Sequence, residues 1–186
     1  MTVPENYLAD TRAQFGKYKE MAERAMAQVS DEQLFDVPYG DGNSIAIIAK
    51  HLAGNMLSRW TDFLTTDGEK ADRNRDDEFE MSSDWGRARL FTYWESGWKC
   101  LFEAIDPLNP DDLEKSITIR GEQHRVLRAI NRQLTHYAYH VGQMVLLARY
   151  HAGSEWKSLS IPRGESDAFN ADNWGKRTAS RPKVGH

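Results

Sequence analysis

Residues 127–150 read LRAINRQLTHYAYHVGQMVLLARY. Apolar side chains recur there at helical steps, no proline interrupts, and Gly153 follows as a stop, so the stretch is predicted to be one long helix. Within it His136 and His140 are four residues apart, which stacks them on one helix face with Cβ atoms about 6 Å apart. Two imidazoles so placed reach a single divalent ion from one side. The same stripe runs through Ala129 and Gln133 on one side and Gln143 and Leu147 on the other. Two histidines and two amides on a face that should be core call for a reason, because buried polar groups are costly unless bonded. The pair lacks the glutamate of a His-Glu-x-x-His motif, which removes support for a metalloprotease.

Working outward, three more segments carry helical texture. Pro4 to Val29 repeats Leu8, Phe15, Tyr18, Ala22, Ala25 and Val29, and Ser30 caps a short turn towards Leu34 and Phe35. Asn43 or Ser44 caps a second helix reaching about Leu64, with Ile45, Ile48, Leu52, Met56, Trp60 and Phe63 on its apolar positions. Gly40 to Ser44 has no preceding strand and no Walker lysine, so it reads as that cap and not as a phosphate cradle. Ser82 or Ser83, followed by Asp84, opens a third helix carrying Trp85, Leu90, Trp94, Trp98, Leu101 and Ile105, which Pro107 and Pro110 stop. Ser116–Ile119 alternates, Arg120-Gly121-Glu122 turns, and Gln123–Val126 returns as a short hairpin.

The expected fold is therefore all-α: a four-helix bundle over residues 1–153, with a long crossover between helices three and four that carries the hairpin. Residues 154–186 show no sustained periodicity and are read as an irregular arm on the same domain, frayed at its basic end (Lys176, Arg177, Arg181, Lys183). Residues 65–80 hold seven acids and three bases and look too charged for core. Their Asp72, Asn74 and Asp76 mimic a calcium loop, but Asp77 replaces its glycine and Ser83 its closing glutamate. Arg73, Arg75, Asp76 and Glu78 are read as solvated ion pairs or as ties from this loop to the bundle or a partner subunit.

Composition narrows the function. The 186 residues carry a net charge of -4 and lack the basic footprint of a general nucleic-acid binder. Ile45–Ala49 and Met144–Ala148 are the longest apolar runs, against the roughly 20 residues of a bilayer crossing, so no membrane span is expected. Residues 5–24 are charged throughout and contain no signal-peptide core, which points to the cytoplasm. Cys100 is the one cysteine, so there is neither a disulfide framework nor a thiolate cluster. Its place among Trp98, Leu101 and Phe102 suggests an inert buried side chain.

Of the remaining histidines, His124 falls in the hairpin, His151 at a helix end and His186 at the terminus. His51 lies mid-helix beside Ile47, Ile48 and Leu52, where a hydrogen-bonded core histidine and a third metal ligand both fit. Three imidazoles from two helices would leave coordination positions open, as in a catalytic site. Asn55, Arg59, Asp62 and Gln143 are polar residues placed to stand near such an ion. Asn55, Arg59 and Gln143 are candidate substrate contacts, Arg59 for an anionic group.

Longer strings support more than spacing does. Asn43-Ser44-Ile45, Lys50–Met56 and Ser58–Leu64, the loop residues 65–70, 73–76 and 78–79, His136–Gln143, and the tail Leu159–Ser166 with Phe169-Asn170 together resemble the DinB/YfiT-like proteins. More narrowly, they resemble a bacterial branch known only as a domain of unknown function. The resemblance covers about residues 4–174. It implies a commonly dimeric four-helix bundle holding a divalent metal, zinc or nickel among others, on His51, His136 and His140. Characterised relatives transfer low-molecular-weight thiols (bacillithiol, mycothiol or glutathione) or use them in isomerisation. The implied activity is a metal-dependent thiol S-transferase acting on a small electrophile. A non-catalytic metal-holding dimer acting in stress response and a hydrolase using metal-bound water are the alternatives.

Overall fold

The computed structural model describes residues 1–179, with side chains through residue 172. Residues 1–153 form one compact unit and the described residues from 154 onward belong to a second. The first contains α1 (Val3–Met26), the short α2 (Asp31–Phe35), α3 (Ile45–Trp60), α4 (Arg87–Ile105), the strands β1 (Ser116–Ile119) and β2 (Glu122–Arg125), and α5 (Val126–Ala152). The chain is thus mainly helical with one small sheet. Among the described residues no helix is long and apolar enough to cross a membrane.

Helix starts follow local chemistry. Thr2 and Glu5 form a capping box at α1, with proline in its first turn, and Ser30 and Gln33 form another at α2. The Ser44 hydroxyl accepts from the Ile47 amide to open α3. Two boundaries differ from expectation. α3 stops at Trp60, not near Leu64, because Thr61 turns extended and Asp62 takes a positive φ of 47°. α4 begins at Arg87 after Gly86, because the Ser82 hydroxyl is spent on the Asp84 carboxylate and leaves the helix without a side-chain cap. Trp85 consequently lies outside the helix, its ring flanked by the cations of Lys50 and Arg89.

The long helices close a ring in which α3 packs on α4 and α5, and α1 packs on α5 and α4. Consecutive α4 and α5 meet across the core, where the Trp98 and Tyr137 rings are 5.9 Å apart. Their connection therefore crosses one end of the helices, carrying a 3-10 turn (Pro110–Glu114) and the β1–β2 hairpin. The strands pair antiparallel with Ser116 opposite Arg125 and Ile119 opposite Glu122. Arg120 and Gly121 both take positive φ, the two-residue turn that matches strand twist. Asp67 tethers that turn by accepting from the Arg120 and Gly121 amides, each at 2.8 Å.

Tyr137 is fully buried at the centre of the unit. Its ring lies 5.7 Å from Phe15 of α1 as well as against Trp98 of α4. Its hydroxyl accepts from Trp60 Nε1 at 3.0 Å and donates to Asn55 Oδ1 at 3.2 Å, both on α3. One side chain of α5 thus touches the other three long helices.

The second unit corrects the expected irregular arm, since it contains a helix, α6 (Ser166–Ala179). Its apolar residues are too few to set up a periodic signal. Of the basic end expected to fray, Lys176 and Arg177 have no described side chains, and Arg181 and Lys183 lie outside the described residues, as does the terminal His186.

α3 and α4 approach closely because Gly97 is small: a Cβ there would stand 2.8 Å from the Ala53 Cα. Ala is ordinarily the better helix residue, by about 0.5–1 kcal/mol. Overpacking against backbone reverses the sign, and Gly97→Ala should lose about 1–3 kcal/mol in urea unfolding. A rise in stability would mean that the helices do not cross this tightly.

Candidate metal centre

The rotation that Tyr137 imposes on α5 turns its neighbour His136, and His140 one turn on, towards α3. There His51 meets them. Ring centroids are 5.4 Å (His51–His136), 4.9 Å (His51–His140) and 4.7 Å (His136–His140) apart. One ring nitrogen from each lies within 4.8 Å of the others. His51 Nε2 and His136 Nε2 are separated by 3.3 Å. That is the edge of a tetrahedron whose centre lies about 2.0–2.1 Å from each corner, the length of a zinc–imidazole bond. This edge matches an ion of that size, and the three nitrogens together are close enough to hold a divalent ion.

The outer nitrogens of two of the three rings have fixed partners. His51, only 4% exposed, donates from Nδ1 to Glu78 Oε2 at 2.7 Å. His140 donates from Nδ1 to Gln143 Oε1 at 2.8 Å. In both, the proton on Nδ1 leaves the Nε2 lone pair facing the cluster, the tautomer a ligand needs. Phe79 stacks on the His51 ring at 4.7 Å and covers one face.

Glu78 and Arg73 correct the reading of their loop as too charged for core. Glu78 is 5% exposed, and Arg73 grips it through Nε at 2.8 Å and Nη2 at 2.9 Å. Burial by itself raises the Glu78 pKa, but the hydrogen bonds from His51 and Arg73 outweigh it, so the carboxylate is held below its usual range. Gly54 of α3 makes room for it, since a Cβ there would meet Glu78 Oε1 at 2.5 Å. Of the two sequence readings for Arg73 and Glu78, the tie to the bundle holds and the solvated pair does not, while the contact of Glu78 with His51 was not read from the sequence. The available signal was the string around Arg73 and Glu78-Phe79 in the DinB/YfiT-like resemblance.

The cluster opens on a cavity of about 610 Å³. Asn55 and Arg59 line it, as do His51, His136 and His140. Gln143, expected as a substrate contact, instead stands behind His140 and is absent from the cavity wall. Asp62 lines a separate pocket beside Cys100, whose thiol is pushed up by burial and contacts the Thr61 hydroxyl. His124 Nε2 stands 3.7 Å from Glu122 and His151 Nε2 3.8 Å from Asp36, both away from the cluster.

A helical protein with three converging histidines in the wall of an open cavity is the class that these observations define. The family described as "Protein of unknown function (DUF1572)" matches residues 2–165, and the chain belongs to it. No curated protein and no solved structure matches the chain.

Burial, reinforced by the neighbouring histidines, lowers the His136 pKa to about 3; burial, with His51 adding to it, lowers that of His140 to about 4. Both rings are thus neutral at neutral pH, the ligating form. In the unfolded chain they titrate near their ordinary value of about 6.5. Unfolding between these values takes up protons, so the stability they contribute is complete above about pH 6.5 and falls as pH drops towards 4. Urea midpoints of metal-stripped protein should decline over that range, and His136→Gln with His140→Gln should flatten the decline. An equal slope in the double variant would contradict the assignment.

Proposed function

We propose that the chain is a DinB/YfiT-like four-helix bundle that holds one divalent ion, zinc or nickel, on His51, His136 and His140. On this reading it is a cytoplasmic homodimer that transfers a low-molecular-weight thiol to a small electrophile. The observation that carries the reading is the convergence of three imidazole ring nitrogens, within 4.8 Å of one another, in the wall of a cavity. A closed structural site would need a fourth protein donor, and among the described residues no other histidine, cysteine or carboxylate joins the group.

A divalent ion there supplies Lewis acidity, which lowers the pKa of a thiol and favours the nucleophilic thiolate. The protein's own groups do the rest. Glu78, anchored by Arg73, fixes the His51 tautomer, and Gln143 does the same for His140. Phe79 keeps water from one face of His51. Asn55, oriented by the Tyr137 hydroxyl, offers its amide to the cavity.

Elemental analysis of the purified protein should find about one divalent ion per chain, and His136→Ala with His140→Ala should lose it. With cobalt in the site, glutathione, bacillithiol or mycothiol should raise sulfur-to-metal absorption. Full metal retention by the double variant would refute the site. A spectrum unchanged by all three thiols would refute transfer of these thiols and leave the two alternatives, activation of metal-bound water and a metal-holding bundle without turnover.

A further inference from the structure

The same cavity has a second chemical character. Its wall includes five arginines, Arg59, Arg73, Arg75, Arg120 and Arg132, and no aspartate or glutamate. The acids that answer them stand behind. Glu78 is committed to Arg73 and His51. Glu69 is shared among Arg59 at 3.5 Å, Arg73 at 3.1 Å and Arg120 at 3.3 Å. Arg75 pairs loosely with exposed Asp76 at 3.9 Å. Arg132 has no ion-pair partner among the described residues. Five guanidinium groups against three carboxylates leave positive charge facing the cavity.

Arg59 is the sharpest case. It is 4% exposed, yet its Nε and Nη1 have no hydrogen-bond partner. Only Nη2 approaches an acid, and at 3.5 Å that contact is long. A buried cation with two idle donors is costly and asks for an anion. Its position is constrained by Gly68, where a Cβ would stand 2.9 Å from Arg59 Nη1. Gln133, which also lines the cavity and is 2% exposed, has an unpartnered amide oxygen, which suits a hydroxyl or N–H donor. His51, Asn55 and Arg59 follow at steps of four on one face of α3, so Arg59 is set about 12 Å along the axis from His51.

We infer that the cavity is an anion site: Arg59, with Arg132 and Arg120 at its mouth, takes the carboxylate or phosphate of a small substrate that also carries a hydrogen-bond donor for Gln133. The assignment deepens the proposed function and rests on it only for the direction of the reactive group, which faces the histidines. The anion contacts themselves require no metal. Two separated poles, cationic at Arg59 and ligating at His51, select an elongated anionic molecule over a neutral one.

The test is calorimetric titration of the full chain, stripped of metal, with inorganic phosphate, succinate and neutral succinamide at low salt. Phosphate or succinate should bind at one site per chain and succinamide should not. The anion that binds identifies a phosphoryl or a carboxylate substrate. Arg132→Gln, at an exposed position, should weaken binding about tenfold, the loss of one charge-assisted contact. Arg59→Gln should abolish it, and Gly68→Ala, which retains the charge but displaces the guanidinium, should weaken it. Failure of both anions to bind, or equal binding by wild type, Arg132→Gln and Arg59→Gln, overturns the inference. Because no metal is present, that failure is separate from loss of the ion in elemental analysis.

Discussion

The Tyr137 hydroxyl is the contact on which the arrangement turns. Buried in a core of Phe15, Trp60, Trp94 and Trp98, it has to be hydrogen-bonded. The partners it finds, Trp60 and Asn55, both lie on α3. That pair of bonds fixes how α5 is rotated and how far it is slid along α3. In that register His136 and His140 face His51. Packing and site chemistry are here one constraint: an apolar replacement at 137 would leave the Trp60 indole and the Asn55 amide short of a partner.

A second constraint is electrostatic. Glu78 enters the interior with its charge, which is tolerable because Arg73 clasps both its oxygens and His51 donates to one. The triad joins the 65–80 loop to α3, places Phe79 on the imidazole, and sets the His51 tautomer. Asp67 and Gly68 of the same loop hold the hairpin turn and β1, which brings Arg120 to the cavity. One polar loop thus supplies the support behind the histidines and part of the cationic wall in front of them.

Much of this was legible in residues alone. The hairpin came out within a residue, because Ile117 and Ile119 alternate and Arg120-Gly121 favours a tight turn. α5 was read nearly end to end from its periodicity and Gly153. The three histidines were found by spacing, by elimination and by resemblance. The ring order of the helices was not legible, because it depends on a close approach at Gly97 and Ala53 that no local pattern encodes. Nor was the burial of Arg73 and Glu78: charge-rich composition favours solvent, and only tertiary pairing reverses it. Gln143 shares a helix face with His140, and spacing cannot distinguish an amide that contacts a ligand from one that contacts substrate. α6 escaped because it has few apolar residues to set a period.

The central claim is that three imidazole nitrogens bind one ion and leave its remaining face to the cavity. X-ray absorption of the zinc-loaded protein measures this directly. The account predicts three nitrogen scatterers at about 2.0–2.1 Å with an imidazole signature, and a further light-atom ligand from solvent. A shell containing Cys100 sulfur, a fourth protein donor that closes the site, or fewer than three imidazoles would contradict it.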